Sequence, residues 1–143
     1  MILVAISSND DTLGIWEILA NDPYITKTLG FNPQDMKRFK NSADNITSTN
    51  KEIHIYNSTS ENTKSKITKK MIYQIDFFVV SDDYNLANEA KDQAIALLQG
   101  KELKNFHVLE LVHPGMILAV PPSHYGIAIR FSVNATIYNK IKK

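Results

Sequence analysis

Four histidines, two tandem aspartate pairs and one Asp–Arg combination at mid-strand positions are the residues whose types could carry chemistry. No two of His54, His107, His113 and His124 stand at a metal-ligand spacing, and the chain has no cysteine to complete a site. His113 and His124 flank an apolar segment and could approach each other across a hairpin, but ordinary surface or turn positions account for the histidines better. Asp10-Asp11 and Asp82-Asp83 each stand immediately before a predicted helix, where negative charge complements the helix dipole. Capping therefore explains them better than a general acid/base pair does. There is no nucleophile elbow and no clustered-glycine loop to cradle a phosphate. No catalytic, cofactor-binding or metal residue is assigned.

Asp76 and Arg130 stand apart because each sits in the middle of a strongly alternating segment, on its less apolar face. If the two strands are neighbours, the side chains could form a cross-strand ion pair, worth about 0.2–1 kcal/mol when exposed. The same positions could instead line an interface or a channel, and the residues alone leave both readings open.

Composition narrows the function classes. The chain has 143 residues, 43% hydrophobic and 22% charged, which fits one soluble globular domain spanning residues 1–143. Sixteen Lys+Arg against 15 Asp+Glu leave a net charge of +1, without the basic excess of a nucleic-acid binder. Only Arg38 and Arg130 offer a guanidinium for bidentate readout. The absence of cysteine suits a reducing compartment. The opening apolar run Met1–Ile6 is too short for a signal-peptide core, and no stretch approaches the roughly 20 apolar residues of a membrane span. A soluble protein made and kept in the cytoplasm is the expectation.

The elements follow from periodicity. Ser7 to Thr12 supply N-cap residues for a helix whose apolar stripe is Leu13, Ile15, Trp16, Ile18 and Leu19, laid on a sheet by its Trp16 face. Asp22-Pro23 breaks it, and a short turn from Tyr24 to Leu29 ends at Gly30. Residues 32–50 carry little periodic signal, and 41–50 have the composition of an exposed loop. Glu52–Tyr56 alternates as a strand. Asn57–Lys70, polar except for Ile67, reads as a long solvated loop. Met71–Val80 is the strongest strand, with Met71, Tyr73, Ile75, Phe77 and Val79 on one face. A helix follows with Leu86, Ala90, Ala94, Leu97 and Leu98 on its packed face, stopped by Gly100. Phe106–Val112 reads as a strand and His113-Pro114-Gly115 as a turn. Met116, Ile117 and Leu118 begin an apolar run that is either a buried strand or a contact segment. The closing strand sets Ile127, Ile129, Phe131, Val133, Ala135 and Ile137 against a small or polar face containing Arg130, Ser132, Asn134 and Thr136.

The order of these parts resembles the tail terminator (tail-to-head joining) proteins of long-tailed bacteriophages. The matching stretches run from the helix ending in "LANDPYITKTLG", through the strand "KKMIYQIDFFVVSDD" leading into "YNLANEAKDQAIALLQG", to the closing "HYGIAIRFSVNATIY". The long polar loop and the "MILAVPP" segment depart from that pattern. The resemblance implies an α+β fold, a mostly antiparallel β-sheet flanked by helices, assembling as a homohexameric ring without chemistry or cofactor. It implies a place in the virion at the head–tail junction, host cytoplasm during assembly, and contacts with the tail tube protein and the head connector protein. No membrane is involved, and DNA is only non-specific cargo sliding through the lumen. On that expectation Gln74, Asp76, Arg130, Ser132, Asn134 and Thr136 are interface or lumen candidates. Glu61, Lys64, Lys66 and Lys69 are candidates for a partner-contact loop that orders on assembly, and Met116, Ile117 and Leu118 for apolar contact. Another head–tail connector or a minor tail protein is the alternative within the class. A small cytoplasmic ligand-binding domain or an enzyme with a dispersed site is the alternative outside it.

Overall fold

The structure, a computed structural model, describes residues 8–39, 51–62 and 68–136. Helix α1 (Ser8–Ala20) leads through a π-helical turn at Tyr24–Thr28 and a 3-10 turn at Pro33–Asp35 into strand β1 (Met36–Phe39). Strands β2 (Lys51–Asn62) and β3 (Thr68–Val80) follow, then helix α2 (Tyr84–Leu98) and strands β4 (Glu110–Ile117) and β5 (His124–Thr136). These strands form one sheet in the order β1-β2-β3-β5-β4, parallel at β1–β2 and antiparallel elsewhere. The expected α+β architecture with a mostly antiparallel sheet and flanking helices is the one observed.

Alternation decides which face is covered. Ile53 and Ile55 of β2, the five alternating residues Met71 to Val79 of β3, and Ile127, Ile129, Phe131 and Val133 of β5 are all buried in one apolar core. Because the side-chain period of a strand is two, the in-register pairs Ile75↔Ile55 and Ile75↔Ile129 carry this face across three strands. α1 closes it over β1 and β2 through Ile15 and Leu19 and the partly buried Trp16, whose indole N–H donates to Met36 O at 2.9 Å. α2 lies on β3 and β5 through Ala87, Ala90, Ala94 and Leu98. Three alanines in that row let the helix backbone approach the sheet closely. Ala90, Ala94 and Leu98 of the predicted face are buried; Leu86 and Leu97 are only partly so, and Ala87 joins the packed row. Gly100, at φ +75°, turns the chain out of α2 in a conformation that glycine adopts without steric cost.

Several expectations need correction. Residues 57–62 and 68–70, read as loop, are strand: β2 and β3 continue as a polar hairpin arm with Glu61 opposite Lys70 and Asn62 opposite Lys69. Ladder hydrogen bonds join backbone groups and need no apolar side chains, so the arm carries no periodic signal. Glu61 and Lys69 thus belong to strands, while Lys64 and Lys66 lie outside the described residues, as do positions 41–50. The ladder shifts register between Asn57 and Thr59, where polar composition replaces alternation. Strand β1 went unforeseen because four residues are too few to show a period. His113-Pro114-Gly115 does not turn the chain. It sits inside β4, which pairs with β5 through two register shifts at an outer edge position that proline tolerates. Of the predicted strand Phe106–Val112, Glu110–Val112 is the start of β4, while 106–109 belong to a tight loop with a 3-10 turn at Lys104–Phe106. Nor does Asp83 cap α2 with its side chain; a 3-10 turn at Ser81–Asp83 leads in instead.

The close approach of α2 to the sheet gives a direct test. Ala90→Leu inserts three carbons where the alanine is fully buried, and is expected to cost about 1–3 kcal/mol. The shift in urea midpoint at unchanged m-value measures it, and an unshifted midpoint would show that the interface is looser than described.

Candidate functional site

Polar side chains gather in two places. The first lies on the sheet face turned away from the helices. There Arg130 Nε donates to Gln74 Oε1 at 2.9 Å, Gln74 Nε2 donates to Asp76 Oδ1 at 2.7 Å, and Tyr56 Oη donates to Asp76 Oδ2 at 2.8 Å. The register explains the intermediary. β3 and β5 are neighbours, but Gln74 stands opposite Arg130 and Ala128 opposite Asp76. The expected direct Asp76–Arg130 pair is therefore a relay through Gln74. One strand further out, His54 Nε2 donates to Glu52 Oε1 at 2.9 Å, and Lys37 Nζ reaches the same oxygen at 3.6 Å. The His54 ring packs between Phe39 and Phe78, with centroids at 5.0 and 4.8 Å. Gly126 makes room for Phe78: a Cβ at that position would lie 3.0 Å from the ring. His54 Nδ1 is buried without a hydrogen-bond partner among the described residues.

This face differs from the expected one. Gln74, Asp76 and Ser132 are buried within the protomer, so in the isolated chain they offer no surface to a partner or a lumen. Arg130 is half-buried and Asn134 exposed. Thr136 lies in β5 opposite Thr68. Burial raises the Asp76 carboxyl above the ordinary carboxylate value. The hydrogen bonds from Gln74 and Tyr56, and then the charges of His54 and Arg130, oppose that rise. Tyr56 is pushed upward by burial first and by the Asp76 charge second, so its hydroxyl stays a donor.

The second cluster lies on the helix side. Asp11, in the first turn of α1, is buried and accepts from Tyr73 Oη at 2.6 Å and from His107 Nδ1 at 2.9 Å. Burial, then the hydrogen bond to Asp11, raises the Tyr73 phenol far above its usual value. Asp11 does more than complement the helix dipole, and His54 and His107 are not surface residues; both are buried. His113 and His124 are not brought together. They stand opposite Arg130 and Val80, and the six-residue offset along β5 corresponds to roughly 20 Å. Among the described residues no group of three His, Asp or Glu could hold a metal ion, and no helix is long and apolar enough to cross a membrane.

Several large apolar side chains also reach the surface. The loop from Gly100 to Leu109 folds back on itself through Gly100 N–H to Leu109 O at 2.8 Å, Leu109 N–H to Lys101 O at 2.9 Å and Leu103 N–H to His107 O at 2.6 Å. Its tip holds Phe106 at φ +63° with 85% of the residue exposed. Val108, and Val112 and Ile117 on β4, are also exposed, while Met116 and Leu118 are half-buried. Phe106 was not singled out from sequence, since nothing in an isolated Lys-Asn-Phe-His signals a positive φ. The Asp11–His107 and Glu52–His54 pairs, by contrast, are buried.

No protein-family model matches this sequence, and no curated protein sequence matches it significantly. Among solved structures, a chain from the virion of a native gene transfer agent particle shares the fold. It superposes with a TM-score of 0.68 at 11% identity, over 91% of this chain and 99% of that one.

The raised Asp76 carboxyl has a consequence for stability. An acid that binds its proton more tightly in the folded than in the unfolded state makes stability fall as pH rises. The fall begins near the unfolded value of about 3.9 and ends at the folded one. Asp76→Asn removes that titration, so the stability difference between variant and wild type should move in the variant's favour across that window and then level off. Urea midpoints at stepped pH between 3.5 and 8 read this out, at roughly the precision needed to resolve 1 kcal/mol. Parallel curves would show that Asp76 keeps an ordinary carboxyl.

Proposed function

We propose that this chain is a structural protein of a phage-like virion and not an enzyme. Within that class it is a tail terminator: six copies form a ring that caps the tail tube at its set length and joins it to the head connector. The observation that carries the reading is the fold shared, over 91% of this chain, with a chain of a gene transfer agent virion. The element order and the patterning of β3, α2 and β5 support the same assignment independently. The sealed polar clusters and the exposed apolar residues on β4 and the 100–109 loop suit a protein that works through contacts.

A ring of identical subunits joined head to tail needs two different patches on each copy. Arg130 and Asn134 remain the lumen candidates, since both reach the surface of the sheet's second face. Met116 to Leu118 remain contact candidates, Ile117 above all at 75% exposure. Another head–tail connector or minor tail protein is the competing assignment within the class.

Purified protein is expected to give a light-scattering mass six times that of the chain, and six-fold rings in negative stain. Particles made without it should show unjoined heads and tails, with tails of irregular length. Joined particles of normal length would rule out the terminator role. Intact tails that merely lack one accessory feature would move the assignment to a minor tail protein.

A further inference from the structure

We infer that Arg130 and His113 form a carboxylate-binding site on the sheet face turned away from the helices, suited to an acidic side chain of a partner protein. The site is complete within one protomer, so the inference stands apart from the ring reading above.

The first observation is an arginine held in position with no acid beside it. Arg130 is half-buried, and its Nε donates to Gln74 Oε1 at 2.9 Å. Gln74 is fixed in turn by Asp76, and both are buried. A guanidinium tied through Nε keeps the edge formed by Nη1 and Nη2 for a bidentate partner. Among the described residues no acceptor meets those two atoms, and no carboxylate lies within ion-pair distance of Arg130. Asp76 is reached only through the amide. A cation half removed from water without a direct counter-charge carries a desolvation cost, which a bound carboxylate offsets.

The second observation is the residue opposite. His113 pairs with Arg130 across β4 and β5, so the two side chains share a face. Its pairing is isolated, because the ladder shifts register on both sides of it, between Leu111 and His113 and between His113 and Met116. Irregularities of this kind re-aim a side chain. Gly115 N–H donates to His113 Nδ1 at 3.2 Å, which places the proton of the neutral imidazole on Nε2. Nε2–H is therefore a donor, unpartnered among the described residues, on the strand beside the guanidinium. Charge balance then selects the ligand. Glu110, exposed and opposite Ser132, stands on this same face, and Asp76 lies behind Gln74. With two acids that near, a polyanion is repelled, whereas a singly charged planar group matches the fork.

Arg38 and Arg130 are the only arginines, so the Nε–H resonances of isotopically labelled protein give one signal for the site and one control. Sodium acetate exchanged for sodium chloride at constant ionic strength is expected to shift the Arg130 Nε–H and His113 Nε2 signals saturably, with Arg38 unmoved. Arg130→Lys keeps the charge but loses the fork, and should weaken acetate binding about tenfold, read on His113. His113→Ala should weaken it several-fold, read on Arg130, with the Arg38 signal in place to show that the fold persists. Inorganic phosphate should bind no more tightly than acetate. Shifts that grow linearly without saturating, or that move Arg38 equally, overturn the site. Phosphate binding tighter than acetate by about tenfold or more overturns the carboxylate assignment in favour of a phosphate-bearing partner. A chain that stays monomeric yet binds acetate at Arg130 removes the ring and keeps this site.

Discussion

The carboxylate of Asp11 is the constraint on which most of the structure depends. A carboxylate at 1% exposure has lost its water and must be compensated in full, and here two donors do so, from Tyr73 in the centre of β3 and from His107 in the loop after α2. Three pieces of chain distant in sequence are thereby fixed to one another: the start of α1, the middle strand of the sheet and the base of the 100–109 loop. Breaking a buried arrangement of this kind by removing one partner typically costs about 3–5 kcal/mol, since the partner left behind stays buried. Such a cost exceeds that of the surface ion pair Lys91–Asp92, whose acid is 70% exposed. Orientation of α1 over β1 and β2, and so the position of Trp16, follows from the same tie.

The opposite face of the sheet obeys a different logic. There the polar groups form a chain, Arg130 to Gln74 to Asp76 to Tyr56, in which each member answers the next. Hydrogen bonds in series inside a poorly solvated layer reinforce one another. It also fixes register. Sliding β5 by one residue along β3 would turn Arg130 to the apolar side and bring Ile129 and Phe131 out. The apolar core alone makes that slip costly, and the relay adds a directional lock across the second face.

Much of this was legible in the sequence where a period was present. The apolar face of β3, and that of β5 from Ile127 to Val133, read correctly residue by residue, because long alternation has one structural meaning. α1 and its Trp16 contact were legible for the same reason, through the helical period. What failed did so where side chains and backbone part company. The polar arm of β2 and β3 pairs through main-chain groups that no hydrophobic pattern reports, and β1 is too short to have a pattern. Asp11 looked like a helix-start residue and is one, but its partners lie 62 and 96 residues away, beyond any local rule. Asp76 and Arg130 were rightly placed on one face, yet the one-pair offset between their strands decided that glutamine would stand between them. The strained Phe106 had no signal at all.

Strain of this sort bears on how the 100–109 loop presents its tip. A residue at positive φ held by its neighbours raises the energy of the protomer without touching its core. Strain alone does not strengthen binding unless a bound state relieves it or uses the geometry; what it provides here is direction, because the backbone that carries Phe106 is fixed. That fixing comes from the buried Asp11–His107 pair and from the Leu103–His107 backbone hydrogen bond, so the exposed tip inherits its geometry from the core.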